Sequence, residues 1–323
     1  MKHPRNTLAH TCCALLLVAP AAWPQSYPSR PVRYIVGGSA GSGTDTIGRI
    51  VADGMAHVFG RQIVVENRPG GGSNIAAETV ARAPADGHTM LQTTITHTVN
   101  VTLYRNLSYS LTRDFVPVTL LANGPSLLVV HPSLPVKSVG ELVRLAKTRP
   151  GSIAYASGGT GTFTFFAAEL FKGQAGIDLL HVPYRGGGQA LNAVLSGEAP
   201  VYFSPLAPAL PNVRERRLRP LAVTTLERIA LVPELPTIAE SGFPGYQSGN
   251  WYGLLVPART PDEVVSAIRA AAVSALNSPV VNKRLLELGY IVVGSEPQAF
   301  AAFIHSEIAQ QAKIVRALNL SVE

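Results

Sequence analysis

Little in this chain of 323 residues commits it to chemistry. It has two cysteines, the adjacent Cys12 and Cys13, both in its first 22 residues. Once that segment is removed, the rest has no disulfide, no thiolate metal site and no cysteine nucleophile. Aromatic residues make up 7% and charged residues 15%. The basic excess, formally +7, is scattered apart from Arg214, Arg216, Arg217 and Arg219. A nucleic-acid surface would gather such charge among aromatics, so that cluster reads as a solvated helix end and no nucleic-acid partner is expected. His, Asp and Glu form no group at metal-ligand spacing, and Glu66, Glu78 and Asp86 fall in separate elements. No metal and no cofactor is expected. After residue 22 no apolar run approaches the length of a membrane span.

The first residues follow a different pattern. Lys2 and Arg5 precede a short apolar core, Ala14 to Val18, and then Ala19-Pro20-Ala21 in small-x-small form. Residues 1–21 therefore read as a secretory signal peptide, cut after Ala21. Both cysteines precede the apolar core, whereas a lipoprotein cysteine would follow it. Loss of Lys2 and Arg5 leaves a formal charge of +5 on a soluble, exported protein.

The remainder, 46% hydrophobic over the whole chain, is long enough for two domains. Strand and helix patterns alternate. Strands are expected at Val32-Val36, Ile63-Glu66 and Thr89-Thr93, with helices at Thr46-Phe59 and Asn74-Arg82. A long strand broken at Asn123-Gly124-Pro125 runs from Val116 to Val130. A second series starts at Ser138, which caps a helix with Glu141 three residues on. It continues through strands Ile153-Ser157, Leu179-Val182, Val201-Phe203 and Leu221-Thr224, with helices Phe163-Gln174 and Gln189-Leu195 between them. Trp251-Val256 is a late strand, and three helices follow, opening near Pro261, Pro279 and Pro297. Such alternation implies parallel sheets covered by helices. The expected division is residues 27–124 with 248–323 as one lobe and 125–247 as the other.

Three glycine- and hydroxyl-rich loops each open a helix. Gly38-x4-Gly43 has Walker A spacing, but Thr44 and Asp45 stand where Lys and Ser or Thr belong, and Asp45 would repel phosphates. Gly41-x-Gly43 lacks the third glycine of a dinucleotide fingerprint, since Thr46 holds that place. Gly37-Gly38-Ser39-Ala40-Gly41 fits G-x-S-x-G and makes Ser39 the nucleophile of a competing reading, a secreted serine hydrolase. No histidine sits in a local setting that suggests a partner. An anion asks for less. A helix N-terminus leaves backbone N–H groups unpaired and carries roughly half a positive charge, and small residues let a ligand oxygen approach. Ser157-Gly158-Gly159-Thr160-Gly161-Thr162 and Tyr184-Arg185-Gly186-Gly187-Gly188 have the same build. Each charge-assisted hydrogen bond nets about 1.5–3 kcal/mol. A handful brings a carboxylate to roughly micromolar affinity, about −8 kcal/mol, after ordering costs.

The run "VVENRPGGGSNIAAETVARAPADGHTM" (Val64 to Met90) resembles the signature of the substrate-binding proteins of tripartite tricarboxylate transporters, the Bug or TctC-like receptors. So do "YPSRPVRYIV" (Tyr27 to Val36), "HVPYRGGGQAL" (His181 to Leu191) and "LPTIAESGFPGY" (Leu235 to Tyr246). The resemblance implies a monomeric periplasmic receptor with an α/β, two-lobed periplasmic-binding-protein fold (type II-like), each lobe a mostly parallel sheet flanked by helices. It implies closure on a small carboxylate, for the membrane subunits of such a transporter or for a membrane sensor. The family's first loop usually reads Pro-Pro-Gly-Gly before Thr-Asp; here Ser39 and Ala40 replace the prolines and Ser42 the second glycine. Some members carry an Asp for a ligand ammonium where this chain has Ser204, so a dicarboxylate, hydroxy acid or aromatic acid is expected rather than an acidic amino acid.

The candidate ligand residues are Ser39, Ala40, Gly41, Ser42, Gly43, Thr44 and Asp45 in the first loop, and Thr94 and His97 after the third strand. Ser157, Gly158, Gly159, Thr160, Gly161 and Thr162 come from the second loop and Tyr184, Arg185 and Gly186 from the third, joined by Ser204 and Trp251. Asp45 can equally be a dipole partner in its helix, His97 a satisfied loop histidine, Arg185 a solvated side chain and Trp251 a packing residue.

Overall fold

The computed structural model describes residues 27–323; residues 1–21, read from the sequence as a signal peptide, lie outside them. Two sheets share the chain. The first holds six strands in the order β11-β4-β10-β3-β1-β2: β1 (Val32–Val36), β2 (Ile63–Asn67), β3 (Thr89–Thr94), β4 (Phe115–Gly124), β10 (Asn250–Pro257) and β11 (Ile291–Val292). The second holds five, in the order β7-β6-β8-β5-β9: β5 (Ser126–Val130), β6 (Ala154–Ser157), β7 (Leu180–Pro183), β8 (Val201–Pro205) and β9 (Arg219–Val223). β4 and β5 belong to different sheets, so the chain changes lobe at Pro125; it returns to the first sheet at β10.

Both sheets are mixed, which corrects the expectation of mostly parallel ones. β1 pairs parallel to β2 and β3, but β10 runs antiparallel to β3 and β4. In the second sheet β6 is parallel to β7 and β8, whereas β5 is antiparallel to β8 and β9. β11 is antiparallel to β4 at the edge of the first sheet; the other reversed strands, β5 and β10, are those next to the lobe changes. They enter each sheet from the other lobe without a covering helix, so the right-handed crossover that forces parallel pairing does not apply.

Helices cover the faces: α1 (Gly43–Phe59), α2 (Asn74–Ala81), α3 (Ile95–Leu103), α4 (Val139–Thr148), α5 (Phe163–Ala175), α6 (Gly187–Leu195), α7 (Leu206–Arg214), α8 (Asp262–Asn277), α9 (Pro279–Glu287) and α10 (Pro297–Ala317). Their ends follow local chemistry. Ser42 caps α1 by accepting from the Asp45 N–H, and Gly60 ends it in the left-handed region at φ 60°. Ser138 caps α4 and Ser278 caps α9, with Pro279 at its first position. The apolar stripe of α10 buries Phe300 and Ile304 against the first sheet and α3. α8 lies on α1, where Gly54 lets Ala275 and Val281 approach closely. Arg214 ends α7, and Arg219 on β9 donates through Nη1 to the carbonyls of Leu134 and Val136.

Candidate ligand cleft

The first loop is held from beneath before any ligand arrives. Asn67 Nδ2 donates to the Gly38 carbonyl (2.8 Å) and to Asp45 Oδ1 (2.9 Å). Asp45 Oδ2 accepts from the Gly41 N–H (3.0 Å), and Arg49 pairs with Oδ1 at 2.9 Å. Burial alone would raise the Asp45 pKa, but the bonds from Arg49, Gly41 and Asn67 outweigh it and hold the carboxyl below its usual range. Gln92 Nε2 and Tyr290 OH donate to the carbonyls of Thr44 and Gly43. With Asp45 N–H bound to Ser42 Oγ, the Gly43 and Thr44 amides open α1 without intrahelical acceptors.

These two residues wall a cavity of about 60 Å³ between the lobes. Ser42, Thr94, His97, Gly158, Thr162 and Gly186, all expected in the site, line it with them. His97 is 1% exposed. Its Nδ1 accepts from the Thr94 N–H at 3.2 Å, so the neutral ring carries its proton on Nε2. That Nε2–H is buried and forms no hydrogen bond among the described residues. Burial lowers the ring pKa to about 4, so His97 is a neutral donor at pH 7. No lining residue is an Arg, Lys, Asp or Glu.

The lobes touch around this cavity. Ser39 Oγ accepts from the Gly188 N–H (3.1 Å), Thr96 Oγ1 accepts from the Phe163 N–H (3.0 Å), and Tyr104 OH donates to the Thr160 carbonyl (3.3 Å). Ser39, Ala40, Gly41 and Asp45 are therefore rim and support rather than lining. In the second loop the amides are already taken. Gly158 N–H donates to Thr164 Oγ1 and Gly159 N–H to Ser157 Oγ. Ser157, Gly159, Thr160 and Gly161 lie outside the wall. Tyr184 OH donates to Glu198 Oε1, and Arg185 is exposed. Ser204, fully buried, donates to the Pro205 carbonyl and does not line the cavity. Trp251 does not either: its Nε1–H donates to Glu307 Oε2 at 2.9 Å and its ring packs edge-on to Phe300 and Phe303.

Ser39 forms no hydrogen bond to a histidine among the described residues. Two serines do: the exposed Ser133, whose Oγ lies 2.7 Å from His131 Nδ1, and Ser157, whose Oγ lies 2.6 Å from His181 Nε2, a pairing with no signal in the sequence. Ser157 is fully buried and does not line the ligand cleft. Other wall residues were also missed. Gly70 and Ser73 come from the Pro-Gly-Gly-Gly turn after β2, whose glycine run could have marked it. Gln92, Tyr202 and Asn250 are single polar or aromatic residues on buried strands, and only the tertiary fold brings them to the cleft.

Two α/β lobes joined by crossover strands, with helix N-termini and small polar groups lining the gap, define a two-lobed solute-binding protein. The model of the tripartite tricarboxylate transporter family receptor matches residues 47–320, and the chain belongs to that family, whose members are periplasmic binding proteins. It is 36% identical to the UPF0065 protein in the tcbD-tcbE intergenic region of Pseudomonas sp. (strain P51), over 90% of this chain and 87% of that one. Among solved structures it is similar to Rpa4515 of R. palustris with adipate (TM-score 0.88, 34% identity, 91% of this chain and 99% of that one). It is also similar to MatC (Rpa3494) of Rhodopseudomonas palustris with bound malate (TM-score 0.86, 32% identity, 90% and 100%).

Proposed function

We propose that this chain is an exported periplasmic receptor that captures a short dicarboxylic or hydroxy acid by lobe closure and hands it to a tripartite tricarboxylate-type membrane permease. No bond is made or broken in this reading. The observation that carries it is a cavity walled by the free amides of α1 and the buried His97 Nε2–H, with no charged side chain in its lining. Donors without a counter-charge suit an oxyanion and leave a cationic group unmatched. The small cavity, about 60 Å³, favours a short acid over a bulky one. The neighbours bound to adipate and malate support the ligand class. Ser42, Gly43, Thr44, Thr94, His97, Gly158, Thr162 and Gly186 would make the contacts, with the rest of the first loop supporting them.

Calorimetry with malate, succinate and adipate, against succinamide as the uncharged control, tests the reading. At least one acid should bind at micromolar concentration and the diamide should not. Equal binding of the diamide, or no binding of any acid in a wider organic-acid screen, would refute it.

A further inference from the structure

A second cavity, of about 350 Å³, is reached from the other face of β10. Trp251, Phe303, Glu307 and Gln311 wall it from the six-stranded lobe and Phe166 from the other, while Asn250 lines this cavity and the ligand cleft alike. Its chemistry is the reverse of the cleft's. Glu307 is the one formally charged residue in its lining. Glu307 Oε2 accepts from Trp251 Nε1–H at 2.9 Å and lies 3.5 Å from Gln311 Nε2. That contact turns the other end of the amide free: Gln311 is 4% exposed, and its Oε1 has no hydrogen-bond partner among the described residues. Asn250 Oδ1, on a side chain 6% exposed, has none either.

The wall thus offers a carboxylate, the unpaired amide oxygens of Gln311 and Asn250, the unpaired Ser248 hydroxyl, and the rings of Trp251, Phe303 and Phe166. Acceptors and a carboxylate ask for N–H donors with positive charge, and aromatic faces attract the same ion. Water can fill such a space but leaves the carboxylate charge and the ring faces unmatched. We propose that this cavity binds a small organic ammonium ion, its N–H groups donating to Gln311 Oε1 and Glu307 and its carbon chain lying against Trp251 and Phe303. Because both lobes supply the wall, an ion held there favours the lobe spacing seen here.

The test needs no cleft ligand, so it stands apart from the carboxylate reading. Full-length exported protein labelled with 15N is titrated with methylammonium and ethanolammonium chloride, against sodium chloride at equal ionic strength. The indole N–H resonance of Trp251, assigned with a Trp251→Phe variant, is followed. It should move saturably with the amines, at an affinity at least ten-fold lower in Glu307→Gln, whose amide oxygen still accepts from the indole. Gln311→Met should weaken binding in the same way without touching the indole bond. Movement no greater than with sodium chloride, which would mean a cavity of water only, overturns the proposal. So does an unchanged affinity in both variants.

Discussion

Ser39 Oγ accepts a hydrogen bond from the Gly188 N–H at 3.1 Å, tying the first loop of one lobe to the first turn of α6 in the other. A Cβ added at Gly188 would lie 2.3 Å from the Ala40 carbonyl oxygen, far inside contact distance. The glycine is therefore required by the closed arrangement and not by its own backbone, since helical alanine is better than glycine by about 1 kcal/mol.

Gly188→Ala should accordingly leave the melting temperature equal or slightly raised while lowering ligand affinity at least ten-fold. Small-angle scattering in saturating ligand should show a wider molecule than the parent. Ser39→Ala removes only the hydrogen bond, worth about 0.5–1.5 kcal/mol, and should weaken binding by less than about ten-fold. Loss of an esterase activity in Ser39→Ala would instead support the hydrolase reading.

His97 makes stability depend on pH. Its folded pKa, about 4, lies below the ordinary histidine value of 6.5 because burial disfavours the charged ring. Between those values the unfolded chain binds the extra proton, so stability is complete above about pH 6.5 and falls as pH drops toward 4. The full swing is about 3 kcal/mol at 1.36 kcal/mol per unit. Glu66, held down to about 2 by hydrogen bonds from Arg33 and Arg68, adds its own loss only as pH falls through its ordinary value of 4.5, at the acid end of that window. Urea denaturation from pH 7 to 4 should show a shallower loss in His97→Gln. A parallel loss in parent and variant would assign the effect elsewhere.

The elements most visible in the sequence were those whose ends are written locally. Ser42 before α1, Gly60 after it, and Ser138 and Ser278 at their caps each satisfy orphan backbone groups with their own side chains. α3 was missed because Ile95–Leu103 is rich in Thr and Val, which read as strand. Thr94 caps it, and His97 plays the part that Glu or Gln takes in the usual capping box. α7 was hidden by Pro208 and Pro211. In the cleft, the helix starts were legible and their occupancy was not. Whether Gly159 N–H is free for a ligand depends on Ser157 Oγ being there to take it. Trp251, open in the sequence between cleft wall and packing residue, lines the second cavity and not the cleft, and no local feature fixes which side of β10 it faces.

Asp45 supports the first loop without lining the cavity, so its loss should act on geometry. Asp45→Ala frees the Gly41 N–H and the Asn67 amide and strands Arg49. Because Gly41 and Arg49 are exposed and can turn to water, the expected cost is that of the lost hydrogen bonds, about 0.5–1.5 kcal/mol each. Hydrogen exchange at Gly41 to Thr44 should quicken, and carboxylate affinity should fall with it. Unchanged exchange and affinity would remove Asp45 from the site's support.

Malate and L-aspartate differ by a hydroxyl against an ammonium, and the cleft should separate them sharply. A hydroxyl can accept from His97 Nε2–H, the buried donor in the wall. An ammonium faces that donor and the α1 amides with no carboxylate among the lining residues, and Ser204, buried beneath Pro205, supplies none. Removing one partner of a buried charge pair costs about 3–5 kcal/mol, and an ammonium enclosed here would be in that position. Aspartate should therefore bind at least a hundred-fold more weakly than malate at pH 7 by calorimetry. In Thr164→Asp a carboxylate enters the wall at a residue 6% exposed, still able to accept from the Gly158 N–H, and the gap between the two ligands should narrow. Aspartate binding as tightly as malate to the parent would show that the cleft draws on an acid outside this wall.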